Sequence, residues 1–163
     1  MMAIGIPPGI NRRFAFMDWP NYDEKLWAQV KKAVKKSGTD MPPIMGSDRD
    51  AGAVRIALSN AERAGVAEYI QFENHAVSNI HPPREKGWVV TNPPYGERIS
   101  KGKDLRNLYA QFGNVLRKHC PSWQVAVLCN DPMLLGQIQL KLDTVLSTRN
   151  GGIKVNLASG RVR

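Results

Sequence analysis

The block Asn92-Pro93-Pro94-Tyr95 directly follows the apolar run Trp88-Val89-Val90-Thr91, and its residue types suit the handling of a primary amine. Such an amine carries two N–H donors, and the carboxamide oxygen of Asn92 with the backbone carbonyl of Pro93 offers two neutral acceptors for them. The two prolines fix two φ angles and carry no N–H, so the loop is stiff and nearby carbonyls can point into a site. Tyr95 adds a ring on which a nucleobase could stack, an interaction worth roughly 1–3 kcal/mol per base. Neutral dipoles of this kind bind a nitrogen better as it attacks a methyl group and gains positive character, which favours the transition state over the ground state. The plain structural alternative is a proline-stiffened turn in which Tyr95 only fills space.

A second candidate is Asp48, which closes the short run Ile44-Met45-Gly46-Ser47 just before a helical pattern. At the end of such a strand an acid can accept two hydrogen bonds from the ribose hydroxyls of an adenosine cofactor. Helix capping is the competing role, and Asp50 is better placed for it. His75 follows another strand-like run, with a structural role as the default for a lone histidine. Glu97 and Arg98 read as a pair that fixes a loop. Cys120 and Cys129 have neither metal-ligand spacing nor the density of a disulfide scaffold, and read as free thiols.

Positioning these residues requires a particular order of elements. The first twenty residues, with Pro7, Pro8, Gly9 and Pro20 around Phe14, Phe16 and Trp19, read as an irregular aromatic segment. Residues 22–36 carry Leu26, Trp27, Val30 and Val34 at helical spacing, and Ser37-Gly38 supplies a stop. Strands are expected at 44–48, 68–73, 88–91 and 123–129. Helices are expected from Asp50 to Gly65, from Leu105 to His119 and from Pro132 to Leu140. A hairpin is expected from 142–148 and 153–157 across Asn150-Gly151-Gly152. Alternating strands and helices imply a doubly wound, mostly parallel α/β sheet, and the hairpin implies one antiparallel strand at an edge. Ligands then bind beyond the carboxyl ends of the strands, where Asp48, Asn74 to Ala76 and the 92–95 block all fall. A chain of 163 residues has room for one core, described here as a segment 1–40 followed by a sheet region 41–163.

Composition limits the partners. The 23 Lys and Arg against 14 Asp and Glu give a formal charge of +9, which favours a polyanion, although the basic residues are spread along the chain as an ordinary solvated surface would be. No apolar run approaches the roughly 18 residues of a membrane span, so a cytoplasmic protein without a membrane partner is expected.

The run Asn92-Pro93-Pro94-Tyr95-Gly96-Glu97-Arg98-Ile99, with Gly46-Ser47-Asp48-Arg49-Asp50 and the segment 57–65, resembles the methyltransferase domain of the bacterial 23S rRNA guanine-N2 methyltransferases. Pro8-Gly9-Ile10-Asn11-Arg12, the aromatic stretch 16–19 and the stretch 148–152 resemble the same family. The resemblance covers nearly the whole chain. It implies a Rossmann-like class I fold, S-adenosylmethionine as methyl donor, and methylation of an exocyclic amine in an RNA base. Asn92, Pro93, Pro94 and Tyr95 would be the catalytic block and Asp48 the cofactor ligand. Related domains with Asn-Pro-Pro-Tyr methylate adenine N6 in DNA, so the target base stays open, with large-subunit ribosomal RNA ahead of DNA.

Two departures qualify this. The family commonly has an acid after its third strand for the cofactor's adenine amine, whereas Ala76 stands at the matching position and only Asn74 or backbone groups remain. The glycine-rich loop for the cofactor's methionine part, and the strand before it, find no match. The chain therefore reads as amino-terminally truncated and inactive alone, with unpaired strand edges open to self-association. A non-catalytic, basic nucleic-acid-binding module is the alternative that this departure favours.

Overall fold

In the computed structural model the described residues are 1, 4–7, 9–34, 41–95 and 105–163. They form two compact units, Met1–His75 and Ala76–Arg163. The segment boundary expected at residue 40 lies within the first unit.

In the first unit the aromatic segment makes a short 3-10 turn over Ala15–Asp18 and then helix α1, Glu24–Lys32. The Asp23 side chain accepts from the N–H groups of Lys25 at 2.8 Å and Leu26 at 3.0 Å, satisfying two donors that the first helical turn leaves unpaired. Lys31 and Lys32 sit in the last turn, where cations suit the helix dipole. Trp27 meets Phe16 edge-on at 5.2 Å between centroids, and Phe14 stacks on Phe16 at 5.6 Å. Phe14 and Phe16 therefore pack on one another and on Trp27 of α1, while Trp19 stays exposed. The expected stop at Ser37-Gly38 lies outside the described residues.

Strand β1, Ile44–Asp48, pairs in parallel with β2, Ile70–Asn74, so that Asp48 stands opposite Asn74. Between them runs helix α2, Ala51–Arg63, capped by the Asp50 carboxylate on the Gly52 N–H at 2.7 Å. Gly65, at φ +67°, ends it in the left-handed conformation that glycine adopts without steric cost. The second expected strand starts two residues late, because Ala67–Tyr69 forms a 3-10 turn first.

The second unit is built on a four-stranded sheet in the order β3-β4-β6-β5, from β3 Trp88–Thr91, β4 Gln124–Cys129, β5 Asp143–Asn150 and β6 Ile153–Arg161. Helices α3, Arg106–His119, and α4, Pro132–Gln137, flank β4 in the chain. The core gathers Tyr109 and Leu116 from α3, Val125, Val127 and Cys129 from β4, Ile138 after α4, and Val155 from β6. Burying these side chains drives the unit's assembly at roughly 1.5–3 kcal/mol for each large aliphatic residue. A Cβ on Gly113 would collide with the Ile138 backbone carbonyl, so the glycine permits α3 to approach the end of α4 closely.

The sheet corrects one expectation. β3 and β4 are parallel, β6 runs antiparallel beside β4, and β5 is antiparallel to β6. The single reversed strand is therefore β6, one place in from the edge, and the edge strand β5 runs in the same direction as β4. The two-residue turn Gly151-Gly152, at φ +55° and +86°, makes β5 and β6 antiparallel neighbours, and the burial of Val155 and Ala158 sets β6 rather than the exposed β5 against β4.

Candidate active site

Asn92, Pro93, Pro94 and Tyr95 leave the carboxyl end of β3, whose Thr91 pairs with Val127 of β4. Asn92 is exposed and Pro93 half-buried, and among the described residues no group hydrogen-bonds the Asn92 carboxamide or the Pro93 carbonyl. These are the two acceptors that the sequence suggests for an amine. The rest of the loop is held down. Tyr109, 1% exposed, directs its hydroxyl at the Pro94 carbonyl at 3.2 Å and lies 3.3 Å from the Cys129 sulfur. Burial pushes the Tyr109 phenol far above its ordinary range, and its hydrogen bond with Cys129 adds to the shift. It is therefore a neutral donor at any working pH. Cys129 in turn accepts from the Asp131 N–H at 3.4 Å, and Asp131 caps α4 through the N–H groups of Met133 and Leu134.

Tyr95 is placed differently from the stacking surface expected of it. Its ring belongs to the hydrophobic core at 9% exposure, and its hydroxyl accepts a hydrogen bond from Asn150 Nδ2 at 2.9 Å. In this conformation the ring fixes the loop and leaves Asn92 and Pro93 as the outward face of the block. Gly96, Glu97, Arg98 and Ile99 lie outside the described residues, so the proposed Glu97–Arg98 pair has no structural description.

Asp48 ends β1 in the first unit, exposed to solvent. One carboxylate oxygen accepts from the Asp50 N–H at 2.8 Å, which orients the group, and the other has no partner among the described residues. The Asn74 amide donates to the Asp48 backbone carbonyl at 2.9 Å, tying together the ends of β1 and β2. Asp50 caps α2 and leaves Asp48 without that duty, as its position in the sequence suggests. An oriented, solvent-facing carboxylate at the end of a parallel strand fits a pair of ribose hydroxyls. His75 Nε2 lies 2.8 Å from the Glu73 carboxylate, an ion pair when the imidazole is protonated.

Motif reading passes over Tyr109 and marks Asn150 only as part of the family-like stretch 148–152, without a role. Tyr109 shares the apolar stripe of Leu105, Phe112 and Leu116 at helical spacing, and Asn150 opens a glycine turn, so each looks like ordinary structure.

The profile of the UPF0020, RMKL-like methyltransferase domain family matches residues 1–159. This chain belongs to that family. The ribosomal RNA large subunit methyltransferase K/L of Shewanella sp. (strain W3-18-1) is 39% identical over 160 residues, which cover 94% of this chain and 23% of that protein. The chain thus spans less than a quarter of the length of that curated relative. Among solved structures, SMU.472, assigned as a methyltransferase and complexed with SAH, superposes with TM-score 0.81 at 30% identity, covering 96% of this chain and 42% of that one. A predicted N6-adenine-specific DNA methylase from Listeria monocytogenes str. 4b F2365 gives TM-score 0.75 at 30% identity, covering 96% of this chain and 40% of that one. The RMKL-like domain accordingly has the class I α/β methyltransferase fold, and S-adenosylmethionine is its cofactor.

Proposed function

We propose that the RMKL-like domain described here transfers a methyl group from S-adenosylmethionine to the exocyclic amine of a nucleic-acid base, N2 of guanine in 23S ribosomal RNA. The observation that carries this reading is the pair of acceptors at the end of β3: an exposed Asn92 carboxamide and a Pro93 carbonyl without hydrogen-bond partners among the described residues. Asn92 and Pro93 take the two amine hydrogens, which turns the nitrogen lone pair toward the methyl group. Pro94 and Tyr95 keep the acceptors in place through Tyr109 and Asn150. The cofactor supplies a methyl group on a cationic sulfur. As the N–C bond forms and the methyl–sulfur bond breaks, the positive charge passes from sulfur to nitrogen, neutral S-adenosylhomocysteine would be left behind, and the acceptor dipoles of Asn92 and Pro93 would stabilise the charged nitrogen without moving. The nitrogen then gives its extra proton to water. Asp48 holds the ribose hydroxyls. The name of the Shewanella relative supports ribosomal RNA of the large subunit as substrate, and a formal charge of +9 suits such a partner.

Ribosomal RNA places the reaction in the cytoplasm, and no described helix is long and apolar enough to cross a membrane. Self-association belongs to the same reading, because β3 hydrogen-bonds only β4 among the described strands and leaves Trp88 60% and Val90 72% exposed.

Adenine N6 in DNA is the second reading, favoured by the name of the Listeria neighbour. One experiment separates them. The gene product that contains this chain, as encoded, is incubated with labelled S-adenosylmethionine and either unmodified 23S rRNA or DNA, and the digested nucleosides are identified by mass spectrometry. N2-methylguanosine supports the proposal and N6-methyladenine the second reading. RNA binding without transfer would leave a binding module.

A further inference from the structure

We infer that Asn150, at the tip of the β5–β6 hairpin, is a positioning residue for the methyl acceptor: it locks the 92–95 loop in the geometry in which Asn92 and Pro93 meet the target amine. This rests on the role proposed above for Asn92 and Pro93.

Strand register brings the hairpin tip to the loop. β4 ends at Cys129, which pairs with Asn156 of β6. Because β6 runs antiparallel, its residues 153–155 continue past the carboxyl end of β4, an overhang of about 10 Å at roughly 3.4 Å per residue. β5 follows it outward through the pairs Thr148↔Val155, Arg149↔Lys154 and Asn150↔Ile153. β3 is parallel to β4, so the hairpin tip projects beyond the same sheet end from which the 92–95 loop emerges. The tip is firm: Gly151 and Gly152 close the turn, and Arg149 Nη1 donates to the Gly152 carbonyl at 3.2 Å. The Ser147 hydroxyl donates to Asn156 Oδ1 at 2.7 Å across the hairpin.

From that tip Asn150 Nδ2 donates to the Tyr95 hydroxyl at 2.9 Å, across 55 residues of sequence. Tyr109 holds the neighbouring Pro94 carbonyl from the helix side. The loop is thus fastened at two consecutive residues by two different elements, and Pro93 and Asn92 are the next groups along a chain stiffened by two prolines. Asn150 is itself exposed and fills no core volume, so its side chain can be changed without opening a cavity. Positioning a reacting atom to within a fraction of an ångström is where a remote hydrogen bond changes turnover without changing what binds.

The test uses the encoded gene product with its RNA substrate and reads kcat, KM and calorimetric binding of S-adenosylhomocysteine. Asn150→Ala and Tyr95→Phe should each lower kcat about tenfold while KM and S-adenosylhomocysteine affinity stay within about twofold, the signature of misplaced rather than missing groups. Because both remove one bond, the double variant should be no slower than either single variant. Asn150→Asp, whose carboxylate can accept from the Tyr95 hydroxyl, should recover kcat to within about threefold of wild type. Folded fraction is fixed by the binding stoichiometry, so kcat is referred to competent sites. Wild-type kcat in Asn150→Ala, or losses that multiply in the double variant, would overturn the inference while Asn92→Ala remains inactive. Full activity in Asn92→Ala would instead remove the acceptor reading itself.

Discussion

A single carboxylate shows how much can rest on hydrogen-bond geometry. Asp48 has one oxygen held by the Asp50 N–H at 2.8 Å and the other turned to solvent, while Asp50 takes the capping duty on α2. If the open side of Asp48 accepts the ribose hydroxyls, Asp48→Ala should weaken S-adenosylhomocysteine binding about tenfold or more, since hydrogen bonds to charged groups are worth roughly 1.5–3 kcal/mol. Calorimetric titration measures this, and circular dichroism checks that the variant folds. Unchanged affinity would assign Asp48 to the β1–α2 turn alone. That Asp50 rather than Asp48 caps α2 was legible in the sequence, because a cap must sit immediately before the first helical residue. The fastening of Tyr95 was not. Its partner Asn150 lies 55 positions away, and no local pattern reports a contact made through sheet register.

Among the elements, helices and strands followed their apolar periodicity closely. The expected strand at 88–91 coincides with β3, and the expected helix ending at His119 coincides with the end of α3. The order of strands followed less readily. That β6 inserts between β4 and β5 depends on burial: β4 and β6 carry core residues such as Val127 and Val155, whereas every residue of β5 is exposed. Hydrophobic runs of similar length do not reveal which will be central. Close helix contact gives a prediction with opposite signs at two glycines. Gly113→Ala, facing the Ile138 carbonyl, should destabilise by about 2–3 kcal/mol, as overpacking does. Gly136→Ala, with open space around it in α4, should stabilise by about 0.5–1 kcal/mol. Urea unfolding midpoints of the two variants test both signs, and equal shifts would contradict the packing described.

For the molecule as a whole, charge and fold act at different ranges. A formal charge of +9 would attract the proposed RNA substrate over distances comparable with the Debye length, whereas the loop after β3 would act on it only at contact. Affinity for 23S rRNA should therefore fall linearly in log–log form with salt, by about tenfold or more between 50 and 200 mM, as counterion release requires. Fluorescence anisotropy with a labelled rRNA fragment reads this slope, and a flat response would exclude a charge-driven complex. Family membership was within reach of the sequence because its most specific block, 92–98, is contiguous. The target base of the proposed transfer was not, because the acceptors proposed at Asn92 and Pro93 would serve guanine N2 and adenine N6 alike.

The most direct test of the central claim is methyl transfer by Asn92→Ala in the gene product as encoded, measured beside its affinity for S-adenosylhomocysteine. Transfer to 23S rRNA should fall by about a hundredfold or more, as loss of a preorganised transition-state acceptor does, while cofactor affinity stays within about twofold. Transfer at the wild-type rate, or lost cofactor affinity with turnover intact at saturation, would show that Asn92 does not receive the target amine.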